Sequence, residues 1–305
     1  MPHDHGHNHL DPQSGDRRVA VAIWANALLT IAQIAGGIVS GSLALIADAL
    51  HNFSDMAALV IAFAARKISR READEEMTFG YGRIEIVAAL INYTTLIIVG
   101  VYLCYEGVLR LLEPPEVAGW TVVYIGGVAL VVDALTALLT YSMQKDSMNI
   151  RAMFLHNLSD ALSSVAVIVG GMLIILYDWW LVDPVITILI AGYILYLAGT
   201  EIGGPIRTLM LGSPPDIENA AVVALVRDVE GVIGIHHVHL WQMQEHAVSL
   251  DCHIVVHPDR WHDVEPVKSQ IKARLSAELG IEHSTLEFET TGKAQAGTQL
   301  YGHKI

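Results

Sequence analysis

The sequence has few charged residues and an excess of apolar ones. Asp, Glu, Lys and Arg make up 16% of its 305 residues, and 53% of the residues are hydrophobic. A soluble domain carries about a quarter charged residues, and the mean hydropathy of this chain is +0.44. Several apolar runs approach the roughly 20 residues that a helix needs to cross a bilayer. The composition therefore excludes an ordinary soluble domain and predicts an integral membrane protein.

Basic residues and cysteines are also scarce. The chain has 18 Lys and Arg against 32 Asp and Glu, and its formal net charge of −14 argues against a nucleic-acid partner, which would require a basic surface. Its two cysteines, Cys104 and Cys252, lie far apart and predict no disulfide framework. The first ten residues are polar and rich in histidine, unlike a secretory signal peptide. We expect the first apolar segment to direct insertion into the membrane.

Six apolar segments are long enough to cross a membrane with some tilt. They occupy residues 19–39, 43–65, 84–109, 120–141, 153–177 and 181–202. Cationic residues indicate the cytoplasmic side, and they flank these segments at Arg17, Arg18, Arg66, Lys67, Arg70, Arg71, Lys145, Arg151 and Arg207. Both termini are therefore predicted to be cytoplasmic, in a multi-pass protein of the bacterial inner membrane.

The composition changes after Pro205, where amphipathic and alternating patterns replace the long apolar runs. Helical patterns at 216–229 and 264–279, and strand patterns at 234–244, 247–256 and 284–289, give the order α-β-β-α-β. We predict an all-α bundle of six transmembrane helices and a small α+β cytoplasmic domain of ferredoxin-like, metallochaperone-like type. The predicted parts are a His-rich tail, a membrane domain, the cytoplasmic domain and a disordered tail, at 1–17, 18–204, 205–290 and 291–305.

Two short polar motifs interrupt the second and fifth apolar segments. His51 and Asp55 form one pair, and His156 and Asp160 form the other, each within a His-Asn-x-Ser-Asp sequence. The i, i+4 spacing places both side chains of a pair on one face of a helix. Two such helices facing each other would supply two imidazole nitrogens and two carboxylates, a set that suits tetrahedral zinc.

The free-energy cost of placing these four ionisable side chains in a bilayer indicates that they share a function. An ionisable side chain in the bilayer interior costs about 2.5–3.5 kcal/mol, so it usually lines a polar path or has a partner. A single pair is explained equally well by a hydrogen bond between packed helices. Two matching pairs favour a bound divalent cation, which would offset the carboxylate charge and occupy the imidazole lone pairs. We therefore predict a metal transport site.

These motifs resemble those of the cation diffusion facilitator family, and within it the zinc-exporting branch. The matching stretches cover nearly the whole chain apart from its ends: 41–55 (GSLALIADALHNFSD), 78–85 (TFGYGRIE), 156–160 (HNLSD), 182–184 (VDP) and 236–241 (HHVHLW). The resemblance implies that the two His-x-x-x-Asp pairs form the transport site, and that a homodimer exports Zn2+ in exchange for protons. It also implies selectivity by the first ligand, because manganese-type members carry Asp in place of the first His.

Other polar residues in the apolar segments are candidates for the surroundings of this site or for the proton path. Asp48 lies three residues before His51, near the same helix face, and Asn26 and Asp133 are similar candidates for which helix packing is an equally good explanation. Protons can compete with metal for imidazole. We expect metal to load from the cytoplasm and to be displaced by protons after the bundle rocks outward.

Histidines are also concentrated outside the membrane segments. A run at the N-terminus is either a weak metal-gathering arm or a dispensable tail, and it consists of His3, His5, His7 and His9. In the cytoplasmic domain, the resemblance suggests a regulatory Zn2+ site at positions matching His236, His253 and Glu289, and His283 is a further candidate. Strict alternation along a strand would place His237 on the face opposite His236.

Two features depart from the family pattern. The connection between the second and third segments has no histidine at 74–81, so a metal site there is not expected. Arg83 stands where members often have a basic residue paired with an acidic residue after the sixth segment, but Leu211 lies near that second place. Arg83 is therefore a candidate for a dimer contact or for an interlock of another kind.

Three other functions remain open from the sequence. An intramembrane metalloenzyme would place His and Asp on helices, but the chain has no His-Glu-x-x-His segment. A membrane-anchored metal sensor would not need buried acids in two helices, and a passive channel would show no proton dependence. Selectivity among zinc, cadmium, cobalt, nickel and iron is not determined by these ligand types.

Overall fold

The computed structural model describes residues 27–141, 148–244, 247–291 and 299–301, without the side chains of 59, 139–141 and 148–157. The described residues form two compact units, one within 27–61 and 91–200 and the other within 62–90 and 201–301. The sequence predicted one membrane domain over 18–204. The connection between the second and third helices belongs to the unit that contains the C-terminal residues, and the predicted domain bounds stay a prediction.

Long apolar helices make up the first part of the chain. They are α1 (Ala27–Ser40), α2 (Leu43–Ser69), α3 (Ile84–Leu112), α4 (Gly119–Tyr141), α5 (Met148–Tyr177) and α6 (Val182–Glu201), followed by the short α7 (Gly203–Leu209). In the described part of the chain, five helices are long and apolar enough to cross a membrane. Large apolar side chains such as Val39, Leu138 and Leu189 point outward and are more than half exposed, as expected of surfaces that face lipid.

A buried carboxylate on α6 closes the first turn of α2. Asp183 accepts hydrogen bonds from Leu43 N at 2.8 Å, from Ser42 Oγ at 2.5 Å and from Ala44 N at 3.4 Å. Ser42 Oγ in turn accepts from Leu45 N at 3.1 Å. The first backbone N–H groups of a helix have no intrahelical partner, and the bilayer core offers no water to replace one. Asp183 therefore caps α2 and ties α6 to it.

Replacing Asp183 by asparagine is expected to destabilise the membrane helices, because the amide has one accepting oxygen for several buried donors. A hydrogen bond to a charged group contributes about 1.5–3 kcal/mol, so the unfolding free energy in detergent should fall by a similar amount. Thr187→Val is the control, because the Thr187 hydroxyl donates to the Asp183 carbonyl within α6. Equal stability of the two variants would contradict the capping role.

Hydrogen bonds from α3 and from the residue before α4 hold the turn that precedes α2. Gly41 has a φ of +74°, a conformation that side-chain-bearing residues rarely adopt. Its carbonyl accepts a hydrogen bond from Arg110 Nη1 of α3 at 2.6 Å, and Ala118 N, just before α4, donates to Ser40 O at 2.8 Å. The start of α2 is thus a junction at which the ends of several helices meet.

Helices α4 and α5 approach closely through glycines. A Cβ atom added at Gly119 would lie 2.8 Å from Gly171 O, and one added at Gly171 would lie 3.2 Å from Gly119 O. Small residues allow this approach of two backbones in a membrane. Since α5 also carries the second His-Asn-x-Ser-Asp motif, this packing fixes the helix that supplies Asp160.

The C-terminal domain has the predicted order α-β-β-α-β. It consists of α8 (Asn219–Arg227), β1 (Val232–Gln244), β2 (Ala247–Val256), a 3-10 turn (Pro258–Asp263), α9 (Val264–Leu279) and β3 (His283–Thr290). The sheet order is β1-β2-β3, with β1 antiparallel and β3 parallel to β2. The parallel pair requires a crossover, which α9 supplies. Gly280, with a φ of +66°, ends α9 in the left-handed conformation that glycine adopts readily.

The core of this domain lies between the sheet and its two helices. Fully buried side chains from α8, β2 and α9 form it, among them Val226, Leu250, Ile254, Ile271 and Leu275. The prediction of a disordered tail is wrong for residues 299–301, which lie beside β1. Val238 N donates to Leu300 O at 2.9 Å, and Val238 forms a parallel bridge with Tyr301.

Candidate metal sites

The first candidate site joins α2 and α5. His51 Nε2 lies 3.7 Å from Asp55 Oδ2 on the same helix and 3.4 Å from Asp160 Oδ1 on α5. One ligand atom from each of the three residues lies within 4.8 Å of the other two. With bonds of about 2.0–2.2 Å to a tetrahedral zinc, neighbouring ligand atoms stand about 3.3–3.6 Å apart. The three residues are therefore close to the spacing that one zinc ion would require.

Not every predicted residue of this site can be placed. His156 lies in α5, one turn before Asp160, but its side chain is outside the described part, as are all atoms of Asn26 and of the N-terminal histidines. The N-terminal histidines are His3, His5, His7 and His9. For these residues the metal-binding and proton-path roles remain predictions.

Asp48 joins three helices next to this cluster. Its Oδ2 accepts a hydrogen bond from Gln33 Nε2 of α1 at 2.6 Å, and its Oδ1 accepts one from Ser163 Oγ of α5 at 2.8 Å. Asn52 Nδ2 donates to Gln33 Oε1 at 3.2 Å. Sequence reasoning missed Gln33 and Ser163, although an amide in the first apolar segment was a usable signal. Asp133 is also buried, and its Oδ2 accepts from Ser164 Oγ of α5 at 3.0 Å.

The second candidate site lies on the sheet of the C-terminal domain. The rings of His236, His237 and His253 have centroids 5.0–5.1 Å apart, and His236 Nδ1 lies 2.8 Å from His237 Nδ1. The prediction that strand alternation separates His236 from His237 is wrong. A β-bulge interrupts β1 between His236 and His239, and His237 has a φ of +49°. The bulge turns the side chain of His237 toward the other two rings.

Two carboxylates of β3 complete this histidine cluster. Glu289 Oε1 lies 2.6 Å from His253 Nδ1, and Glu289 Oε2 lies 3.4 Å from His236 Nε2. The hydrogen bond with His253 lowers the pKa of the Glu289 carboxyl below its ordinary value, against the opposing effect of burial. Glu287 Oε2 lies 3.5 Å from His253 Nε2. Sequence reasoning included Glu289 but missed Glu287 and the approach of His237.

His283 and Cys252 stand apart from this cluster. His283 begins β3 opposite Ser249, about 20 Å along the strand from Glu289 at roughly 3.3 Å per residue. The prediction of His283 as a ligand is therefore not supported by its position. Cys252 precedes His253 but is buried in the core of the domain, where burial raises the pKa of its thiol to about 12. A thiol that stays protonated is a poor metal ligand.

Arg83 contacts β1 instead of a carboxylate. Its Nε donates to Met243 O at 3.0 Å, and its guanidinium lies 5.4 Å from the centre of the Trp241 ring. Phe79 packs edge-to-face on the same ring at 5.9 Å. Within the described residues Arg83 forms no ion pair, and its role as a dimer contact or interlock stays a prediction. Arg83 thus interacts with β1 through a cation–π contact and a backbone hydrogen bond.

Comparison with known proteins gives consistent matches along the chain. The model of the cation efflux transmembrane domain matches residues 19–210, and that of the cytoplasmic domain of cation efflux proteins matches residues 214–291. The metal cation efflux system protein CzcD of Cupriavidus metallidurans is 33% identical over 95% of this chain and 92% of its own. A cadmium, cobalt and zinc/H(+)-K(+) antiporter of Bacillus subtilis is 34% identical over 93% and 92%.

Two further proteins are similar to this chain. The zinc transporter ZitB of Escherichia coli is 32% identical over 95% of this chain and 93% of its own. Among solved structures, the metal-bound C-terminal domain of CzcD is 27% identical, with a TM-score of 0.23, over 24% of this chain and 99% of that one. The family models and the full-length relatives confirm the resemblance seen in the motifs. The chain belongs to the cation efflux family, and it is a multi-pass membrane transporter with a cytoplasmic C-terminal domain, not an enzyme.

Proposed function

We propose that this protein exports a divalent transition metal, Zn2+ above all, through a site formed by His51, Asp55, His156 and Asp160. The observation that carries the proposal is the meeting of His51 and Asp55 with Asp160, which comes from a different helix. The names of the relatives include zinc, cadmium and cobalt. Because these metals accept imidazole and carboxylate ligands, we expect Co2+ and Cd2+ to be alternative substrates.

Protons are the proposed counter-substrate. Metal binding needs a neutral imidazole and ionised carboxylates, so a proton and the metal compete for the same atoms. The metal loads from the cytoplasm, the helices rearrange to open the site to the opposite side, and protons entering there displace it. The name of the Bacillus relative, an antiporter that uses H+, supports this direction of coupling. Asp48 is the proposed proton carrier; its position one helical turn from His51 and its hydrogen bonds with Gln33 and Ser163 support this role.

The cytoplasmic domain is proposed to bind Zn2+ as a regulatory ligand within a homodimer. The cluster of His236, His237, His253 and Glu289 supports metal binding, because it combines imidazoles with a carboxylate that contacts two of them. The dimer is supported by the match of residues 214–291 to the cytoplasmic domain of cation efflux proteins.

The test is metal uptake into sealed vesicles that contain the purified protein, with an imposed pH gradient. We expect Zn2+ flux to follow the gradient in the wild type and to vanish in Asp55→Ala. Glu113→Ala is the matched control, because it removes an exposed carboxylate beyond the end of α3. Its flux should equal that of the wild type.

Each other outcome contradicts a different part of the proposal. Undiminished flux in Asp55→Ala would overturn the assignment of the site. Flux that ignores the pH gradient would favour a passive channel. Absence of flux in wild type and variant alike, with Zn2+ still bound, would favour a membrane-anchored sensor.

A further inference from the structure

We propose that His237 is a third imidazole ligand of the cytoplasmic metal site, held in place by residues 299–301, a proposal that presupposes metal binding by this cluster. We call these three residues the tail strand. The bulge at His237, the hydrogen bonds between the bulge and the tail strand, and the positions of the three rings support this role.

The bulge is what brings His237 to the site. In β1, His236 pairs with His253 of β2 and His239 pairs with Asp251, so three steps along one strand correspond to two along the other. The extra residue lies between them, and its left-handed φ of +49° is unfavourable for a residue with a side chain. Such a conformation persists only when its surroundings determine it.

The tail strand supplies those surroundings. His237 N donates to Gln299 O at 3.3 Å, and Val238 N donates to Leu300 O at 2.9 Å. Val238 and Tyr301 form a parallel bridge, and the Leu300 side chain packs against the core of the domain. The backbone of the bulge therefore finds its partners in the tail strand, which is itself anchored by an apolar side chain.

One ring nitrogen from each of the three histidines lies within 4.8 Å of the other two, a spacing compatible with three nitrogen ligands on one metal. His236 Nδ1 faces His237 Nδ1 at 2.8 Å, and two nitrogens bound to one tetrahedral zinc stand about 3.3 Å apart. A small opening between the rings would admit the ion. Glu289 contacts His236 at its other nitrogen, Nε2, and also contacts His253. A carboxylate in this position fixes the orientation of ligating imidazoles.

Three imidazoles make this site different from one with two histidines and a carboxylate. Imidazole suits zinc, cobalt, nickel and copper, whereas carboxylate oxygens suit magnesium, calcium and manganese. We therefore expect the site to favour borderline divalent metals over hard ones. We also expect its affinity to depend on the tail strand, although no atom of the tail strand needs to contact the ion.

The experiment uses the full chain in detergent, with Asp55→Ala and Asp160→Ala to disable the membrane site. Zn2+ affinity is measured by competition with a chromophoric chelator, and the number of bound imidazoles is measured by X-ray absorption. His237→Asn removes the ring while keeping a residue that tolerates a left-handed φ, so the bulge is preserved. His239→Ala is the matched control, because His239 is the next histidine of β1 and lies outside the cluster.

We expect His237→Asn to weaken Zn2+ binding by about tenfold or more, since even orienting partners of metal ligands contribute that much, and to lower the imidazole count by one. Deletion of 299–305 should weaken binding to a similar extent, and deletion of 302–305 should leave it unchanged. Unchanged affinity and imidazole count in His237→Asn would overturn the ligand role, and full affinity without 299–305 would overturn the role of the tail strand. Failure of the Asp55→Ala, Asp160→Ala background to bind metal in this domain would overturn the cluster itself.

Discussion

Replacing His51 by aspartate is expected to lower Zn2+ transport on the order of 100-fold, because one of the proposed ligands loses its imidazole and even outer partners of a ligand are worth 10–100-fold. Transport of Mn2+ relative to Zn2+ should rise in the same variant. Carboxylate oxygens favour manganese and imidazole nitrogens favour zinc. His51 is the residue of the cluster that contacts carboxylates on both α2 and α5. Its replacement by aspartate therefore exchanges an imidazole for a third carboxylate between these two.

The measurement is the initial rate of uptake of each metal into sealed vesicles, at matched protein content. His262→Asp makes the same substitution on the exposed surface of the cytoplasmic domain and should change neither rate. Equal Zn2+ rates in His51→Asp and the wild type would show that His51 does not bind the transported metal. A fall in both metals without a change in their ratio would remove His51 from the determinants of selectivity.

Replacing Asp48 by alanine is expected to lower the unfolding free energy by about 2–4 kcal/mol, because two buried hydrogen bonds to a carboxylate are lost together. Gln33 is fully buried, and its amide nitrogen would lose the acceptor that it has at 2.6 Å. An amide buried without a partner costs free energy comparable to a lost hydrogen bond. Transport should be lost as well, because α2 and α5 carry the site and Asp48 joins them through Ser163.

Two further variants separate packing from proton transfer. Gln33→Leu with Asp48→Leu removes the donor and the acceptor of one hydrogen bond, but Ser163 and Asn52 then lose the acceptors that they have in the wild type. The double variant should therefore recover only part of the stability, and it should not recover transport. Asp48→Asn retains one accepting oxygen. If it is nearly as stable as the wild type but transports without proton coupling, the carboxylate carries protons. Wild-type stability in Asp48→Ala, measured by unfolding in detergent, would contradict the structural role of this carboxylate.

The sequence predicted the parts of the fold that depend on local patterns. Apolar runs of bilayer length predicted the bounds of α2 to α6 to within a few residues, and the order α-β-β-α-β of the cytoplasmic domain is as predicted. The motif around His51 and Asp55 could be recognised because ionisable residues in an apolar helix are costly. Each of these inferences uses residues that are neighbours in the chain.

Contacts between distant residues could not be predicted in this way. The alternation rule failed at His237, because the tail strand more than 60 positions later provides the partners for its backbone. The cap of α2 comes from Asp183, 140 positions after Leu43. Gln33 was missed because its partner, Asp48, lies on another helix. In each case the polar group could be identified in the sequence, but the residue that it contacts could not be predicted.

The environment of Cys252 has a practical consequence for spectroscopy. Maleimides and methanethiosulfonates react with the thiolate, and a buried thiol with a pKa of about 12 presents almost none at neutral pH. The only other cysteine is Cys104 on α3. Replacing Cys104 alone should therefore give a background in which reporters introduced on α2 and α5 can be attached selectively, so that inter-helix distances can be followed during turnover without disturbing the cytoplasmic sheet.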